Sequence, residues 1–85
     1  MKKPIVLTAH AKKRLQDRRI DPSWIEATVR APEWTEKDPL DSAIERRFRA
    51  IPEFGRRVLR VACVETNSSV RVISALFDRN ARRKP

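Results

Sequence analysis

The sequence predicts an α+β fold in which two N-terminal helices pack on one face of a three- to four-stranded antiparallel sheet. Three observations predict it. Residues 8–30 hold two segments with helix-capping chemistry at their starts, and from Ser42 onward apolar and polar residues alternate with a period of two. "PEFG" and "TNSS" then divide the alternating region into strands joined by tight turns. The 85 residues allow one domain with a thin core, drawn at residues 1–78, followed by a basic tail at 79–85.

Ile5, Val6 and Leu7 make a short apolar lead-in, suited to an edge strand. Thr8 is placed to cap a helix that runs to about Arg18, on which Ala11 and Leu15, four apart, form a narrow apolar stripe. Asp21 as N-cap and Pro22 in the first turn begin a second, shorter helix. Its apolar face is Trp24, Ile25, Thr28 and Val29, and Pro32 ends it. From Glu33 to Glu45 the composition turns acidic, and Trp34 and Pro39 fit a short strand and a loop. In "SAIERRFRAI", Ile44, Arg46, Phe48 and Ala50 share one face, and Glu45, Arg47, Arg49 and Ile51 the other. "RRVLRVACVE" is a more continuously apolar strand, and "VRVISALF" is the last before the tail.

The net charge of +9 and pI near 11.1 are the footprint of a protein that meets a polyanion. Arginine outnumbers lysine, and its planar fork suits bidentate phosphate contacts and stacking on bases. The single cysteine, Cys63, has no intrachain partner and reads as a buried structural thiol. The apolar stretch in "MKKPIVLTAHAKK" is too short for a signal peptide or a membrane span, so a cytoplasmic location without a membrane partner is expected.

His10, Arg14 and Arg18 recur at i, i+4 and i+8, forming a polar ridge roughly 100° around the helix from the apolar stripe. Two readings stand. His10 is a general acid or base near neutral pH while the arginines hold phosphate, or it satisfies a local hydrogen bond among solvated arginines. In the strands, Arg60 lies between Leu59 and Val61, Arg71 between Val70 and Val72, and Arg46 on the face of Phe48. A cation in such a setting needs a partner or a ligand. The partner is an acid across the strands, or the ligand is an RNA backbone held on a concave surface built from Arg46, Arg47, Arg49, Arg56, Arg57, Arg60 and Arg71, with Arg18 and Arg79 extending it.

Cleavage of RNA by its own 2′-hydroxyl requires a base, an acid and cations around the phosphorane. Positioning and electrostatics supply most of that effect, so a small fold can do this with His and Arg alone, and the candidate catalytic residues are His10 as acid or base with Arg14 and Arg60 on the phosphate. One histidine, one cysteine and scattered acids form no metal-ligand pattern. Gly55 is the sole glycine, which leaves no glycine-rich phosphate loop, and no cofactor is expected. Trp24 and Trp34 fit the core better than they fit base stacking.

With the elements assigned, "HAKKRLQDRRI", His10 to Ile20, resembles the opening His-Ala-x-x-Arg-(Leu/Met)-x-x-Arg-x-Ile motif of the small bacterial family DUF4258. The resemblance continues through "DPSWIEATV", Pro32, "RRF", "RRVLRVACVE" and "VRVISALF". That family is similar to the RelE/ParE-like superfamily and to BrnT-type toxins, in which two helices pack on an antiparallel sheet whose basic surface cleaves RNA. The resemblance implies a metal-independent ribonuclease toxin acting on RNA, including ribosome-bound mRNA, and neutralised by an acidic antitoxin. His10 is the motif's own histidine. Beside the enzyme stand two other classes, a nucleic-acid-binding module without chemistry and a module whose basic face receives an acidic protein.

Overall fold

The computed structural model of the chain describes residues 2–82. Strand β1 (Ile5–Leu7) leads into helices α1 (Ala9–Arg18) and α2 (Pro22–Arg30), followed by β2 (Trp34–Lys37), β3 (Glu45–Ile51), a 3-10 turn (Pro52–Phe54), β4 (Arg57–Glu65) and β5 (Val70–Phe77). The fold is α+β with two helices, as the sequence predicts.

The sheet differs from expectation. It has five strands in the order β1-β5-β4-β3-β2 and is mixed, not a three- to four-stranded antiparallel meander. The three residues of β1 lie parallel to β5, Ile5 beside Val70 and Leu7 beside Val72, and β2 pairs antiparallel with β3. Strands this short carry almost no periodicity of their own. They exist because a long neighbour offers them hydrogen bonds: Val70 donates to the Pro4 carbonyl at 2.9 Å and Thr8 to that of Val72 at 3.1 Å.

Capping chemistry sets the helix starts. Thr8 accepts the Ala11 N–H at 3.1 Å, and Asp21 accepts that of Ser23 at 2.8 Å. The latter bond holds the Asp21 carboxyl below its ordinary range. Helix α1 ends with Arg19 in the left-handed region (φ 53°), after which Ile20 donates to the Leu15 carbonyl at 2.9 Å and turns back into the core.

Both helices cover one face of the sheet. Ala11 and Leu15 of α1 and Ile25 and Val29 of α2 join Leu59, Val61 and Cys63 of β4, Val70, Val72 and Ala75 of β5 and Ile51 of β3 in one core. Burying each large aliphatic side chain there contributes about 1.5–3 kcal/mol. Cys63 is a buried free thiol, and burial pushes its pKa up. Trp24 packs against the same core, with its ring 5.6 Å from that of Phe54 and 6.0 Å from that of Phe77. The opposite face, bearing Arg46, Phe48, Arg60 and Val64, has no helix over it among the described residues. Phe48 is nonetheless only 3% exposed, because Trp34 stacks flat against it at 4.8 Å.

Of the tail drawn at 79–85, residues 83–85 lie outside the described residues. Asp78 starts the remainder: its backbone N–H bonds the Val58 carbonyl at 2.9 Å and its side chain accepts the Asn80 N–H at 2.9 Å, so the chain turns at the end of β5.

Candidate nucleic-acid interface

On α1, the ridge exists as the spacing predicts. His10 is exposed, and Arg14 Nε donates to its Nε2 at 3.3 Å. Arg18 is exposed one turn further on. Lys12, Lys13 and Arg19 are also exposed, giving this helix a continuous cationic surface opposed only by Asp17.

The strand arginines do not form one surface. Adjacent residues of a strand point to opposite faces. Arg47, Arg49 and Arg57 stand on the face that carries the helices, in register with Val61, Leu59 and Ile51. Arg46, Arg60 and Arg71 stand on the open face, beside Ala62, Phe48 and Val64 respectively. Since α1 packs on the helix-bearing face, the sheet lies between His10 and Arg60. The structure therefore brings His10 to Arg14 but not to Arg60, and the predicted seven-arginine surface is divided in two.

Most of the strand arginines have partners within the chain. Arg46 pairs with Asp38 at 3.3 Å and Arg60 with Asp78 at 3.0 Å. Arg47 bonds Glu45 at 2.6 Å, Glu65 at 2.7 Å and the Val29 carbonyl at 2.9 Å, which ties β3 to β4 and α2. Burial pulls its pKa down, but the bonds from Glu65 and Glu45 outweigh that and leave it raised. Glu65, bonded first by Lys3 and then by Arg47, is held down at about 2. Asp38 is lowered chiefly by the Leu40 N–H, against a desolvation effect in the other direction. Arg49 donates to the Ala31 carbonyl at 2.8 Å. Exposed Arg71 has no hydrogen-bond or ion-pair partner among the described residues.

A different set of arginines converges. Where the turn between β3 and β4 meets the end of β5, Arg56, Arg57, Arg79 and Arg82 line a cleft of about 550 Å³, with Phe77 and Asp78 in its wall. All four arginines are exposed. The antiparallel register that sets Leu59 opposite Phe77 brings the start of β4 alongside the chain that leaves β5. Gly55 (φ 63°) and Arg56 (φ 58°) are consecutive left-handed residues. Gly55 takes that conformation freely, whereas for Arg56 it costs about 1–2 kcal/mol. The Arg57 guanidinium lies 4.9 Å over the Phe54 ring, itself 4.7 Å from Phe77, so an aromatic cluster backs the cleft. Among the described residues none of the four has a carboxylate partner, because the one acid in the wall, Asp78, is taken by Arg60. The sequence marks Arg56, Arg57 and Arg79 as phosphate contacts; it misses Arg82, whose signal is its short distance from the end of β5.

The DUF4258 family model, described as a domain of unknown function, matches residues 7–77. The chain belongs to the DUF4258 family. No curated protein and no solved structure matches it. The DUF4258 match contains both helices and the four longer strands, with Arg56 and Arg57 inside it and Arg79 and Arg82 beyond its end. Among the described residues of this DUF4258 protein, no three His, Cys, Asp or Glu side chains gather as metal ligands, and no helix is long and apolar enough to cross a membrane.

Proposed function

We propose that this DUF4258 protein binds RNA through its phosphates, with the four-arginine cleft as the principal contact and the cationic surface of α1 as a second. The observation that carries the reading is the contrast between the two sets of arginines. Arg46, Arg47 and Arg60 each have an acid within the chain, while Arg56, Arg57, Arg79 and Arg82 share one cavity with no such partner among the described residues. Like charges gathered in this way repel one another, and an anion between them reverses the sign of that energy. Guanidinium groups bind phosphate oxygens bidentately, and the Phe77 ring in the wall of the cleft packs against Phe54 at 4.7 Å. The test is titration of a labelled single-stranded RNA: binding should weaken steeply with salt, and substitution of Arg57 and Arg79 by glutamine should weaken it further. Salt-independent binding, or binding unchanged in the double variant, would count against the reading.

The contact between His10 and Arg14 favours a second reading, the ribonuclease toxin. A neutral imidazole whose Nε2 faces a guanidinium is arranged to accept the 2′-hydroxyl proton once a phosphate draws Arg14 to itself. Arg14 then stabilises charge on the phosphorane, the P–O5′ bond breaks to leave a 2′,3′-cyclic phosphate and a 5′-oxygen that takes its proton from water, and Arg60, behind the sheet, has no part in the step. The substrate would be RNA, including ribosome-bound mRNA, and the partner an acidic antitoxin attracted by the basic surface. On this reading, H10Q abolishes RNA cleavage and growth arrest on induced expression but leaves RNA binding intact. Cleavage undiminished in H10Q removes His10 from the mechanism.

A further inference from the structure

The cleft is overcharged for a backbone phosphate. A phosphodiester brings one negative charge, whereas four arginines line this cavity of about 550 Å³ and the carboxylate in its wall is already neutralised, 3.0 Å from Arg60. A terminal phosphate carries about −1.5 to −2 near neutral pH and presents three free oxygens, and a terminal triphosphate carries more. Such a terminal group matches the charge and the number of forks where a single backbone phosphate does not.

A second cavity adjoins it. Of about 290 Å³, it shares Asp78, Ala81 and Arg82 with the cleft and is also lined by Arg46, Phe48 and Arg60. Both of those arginines and Asp78 are occupied by their ion pairs. Glu36, also in its lining, has no hydrogen-bond or ion-pair partner among the described residues. A free carboxylate repels phosphate and accepts N–H groups, which is what the edge of a nucleobase offers. Chain segment 78–82 thus has an anion site on one side and a base-edge acceptor on the other.

We propose that this pair of cavities binds a 5′-phosphorylated nucleotide, with its terminal phosphates among Arg56, Arg57, Arg79 and Arg82 and its base against Glu36. The proposal rests on the RNA-binding reading and narrows it to the 5′ end. The full chain is titrated with one RNA sequence bearing a 5′-triphosphate, a 5′-monophosphate or a 5′-hydroxyl, in about 150 mM salt, where distant surface charges are screened. The triphosphate end should bind about tenfold more tightly than the hydroxyl end, the order expected for added charge-assisted hydrogen bonds. That preference should vanish in R57Q/R79Q, whose fold is checked by circular dichroism. Equal affinity for all three ends overturns the proposal and leaves backbone binding standing; absence of RNA binding in every form overturns both. Competition with GTP and with inorganic triphosphate separates the two cavities: GTP should compete better, and E36Q should reduce that advantage. Equal competition by inorganic triphosphate overturns the assignment of the base. If GTP competes as strongly as the triphosphate RNA itself, the ligand is the free nucleotide and the 5′-end assignment falls.

Discussion

Replacing Arg57 and Arg79 with glutamine should remove half of the cleft's contribution to the salt dependence of RNA binding. The four cleft arginines have no ion pair among the described residues, so each is free to displace one counterion from the RNA. On a single strand the slope of log affinity against log salt is about −0.7 per neutralised phosphate, which gives about −2.8 for four contacts and about −1.4 for two. From about 50 to about 200 mM salt the cleft's share then weakens binding about 50-fold in the wild type and about 7-fold in the variant. The α1 cations contribute equally to both proteins, so the difference of about 1.4 in slope is the quantity to read. Both positions are exposed, and the stacking of the Arg57 guanidinium over Phe54, which the substitution removes, is worth about 0.5–1 kcal/mol at such a site. The assay is fluorescence anisotropy of a labelled RNA at several salt concentrations, with Tm measured alongside. A variant with the wild-type slope would refute the assignment of the cleft. A Tm lowered by much more than about 4–8 °C would show that the substitutions act through the fold.

R56G should raise stability by about 0.5–1 kcal/mol in chemical denaturation, since glycine relieves the left-handed strain, while weakening RNA binding. A stabilised variant that binds as well as wild type would show that Arg56 is not a contact. Glu65 gives a pH prediction: its folded pKa of about 2 lies below the ordinary 4.5, so its pairing with Lys3 and Arg47 contributes fully above pH 4.5 and is lost as pH falls towards 2. E65Q should accordingly be less stable than wild type near neutral pH, and the two melting curves should converge across that acid window; a constant gap would contradict the ion-pair account. Leu59, fully buried between the helices and the sheet, should lose about 2–5 kcal/mol on replacement with alanine, read from urea unfolding. A loss below about 1 kcal/mol would place it outside the core.

What was legible in the sequence follows the range of the interactions concerned. Thr8, Asp21 and Pro22 mark the helix starts because capping bonds reach only two or three residues along the chain. Parity in "SAIERRFRAI" assigns Arg46 and Arg47 to opposite faces, and the structure keeps them there. The same parity already argues against pooling all seven strand arginines on one surface; the pooled surface followed from counting charges without assigning faces. What parity cannot supply is each cation's partner. Arg47 meets Glu65 and Arg60 meets Asp78, each 18 residues away, the first across the unbroken β3–β4 pairing and the second across β4 and β5, whose register shifts at a bulge between Ala62 and Cys63. One unseen residue in that bulge decides whether an arginine faces an acid or solvent. The cleft is the clearest case, since Arg56 ends the β3–β4 turn, Arg57 begins β4, and Arg79 and Arg82 lie beyond the last strand. Each pair alone reads as ordinary surface charge. Their meaning arises only when β4 and β5 bring them together, and it is that none of the four has an ion pair among the described residues, not the abundance of arginine, that separates a site for an anion from a chain that is merely basic.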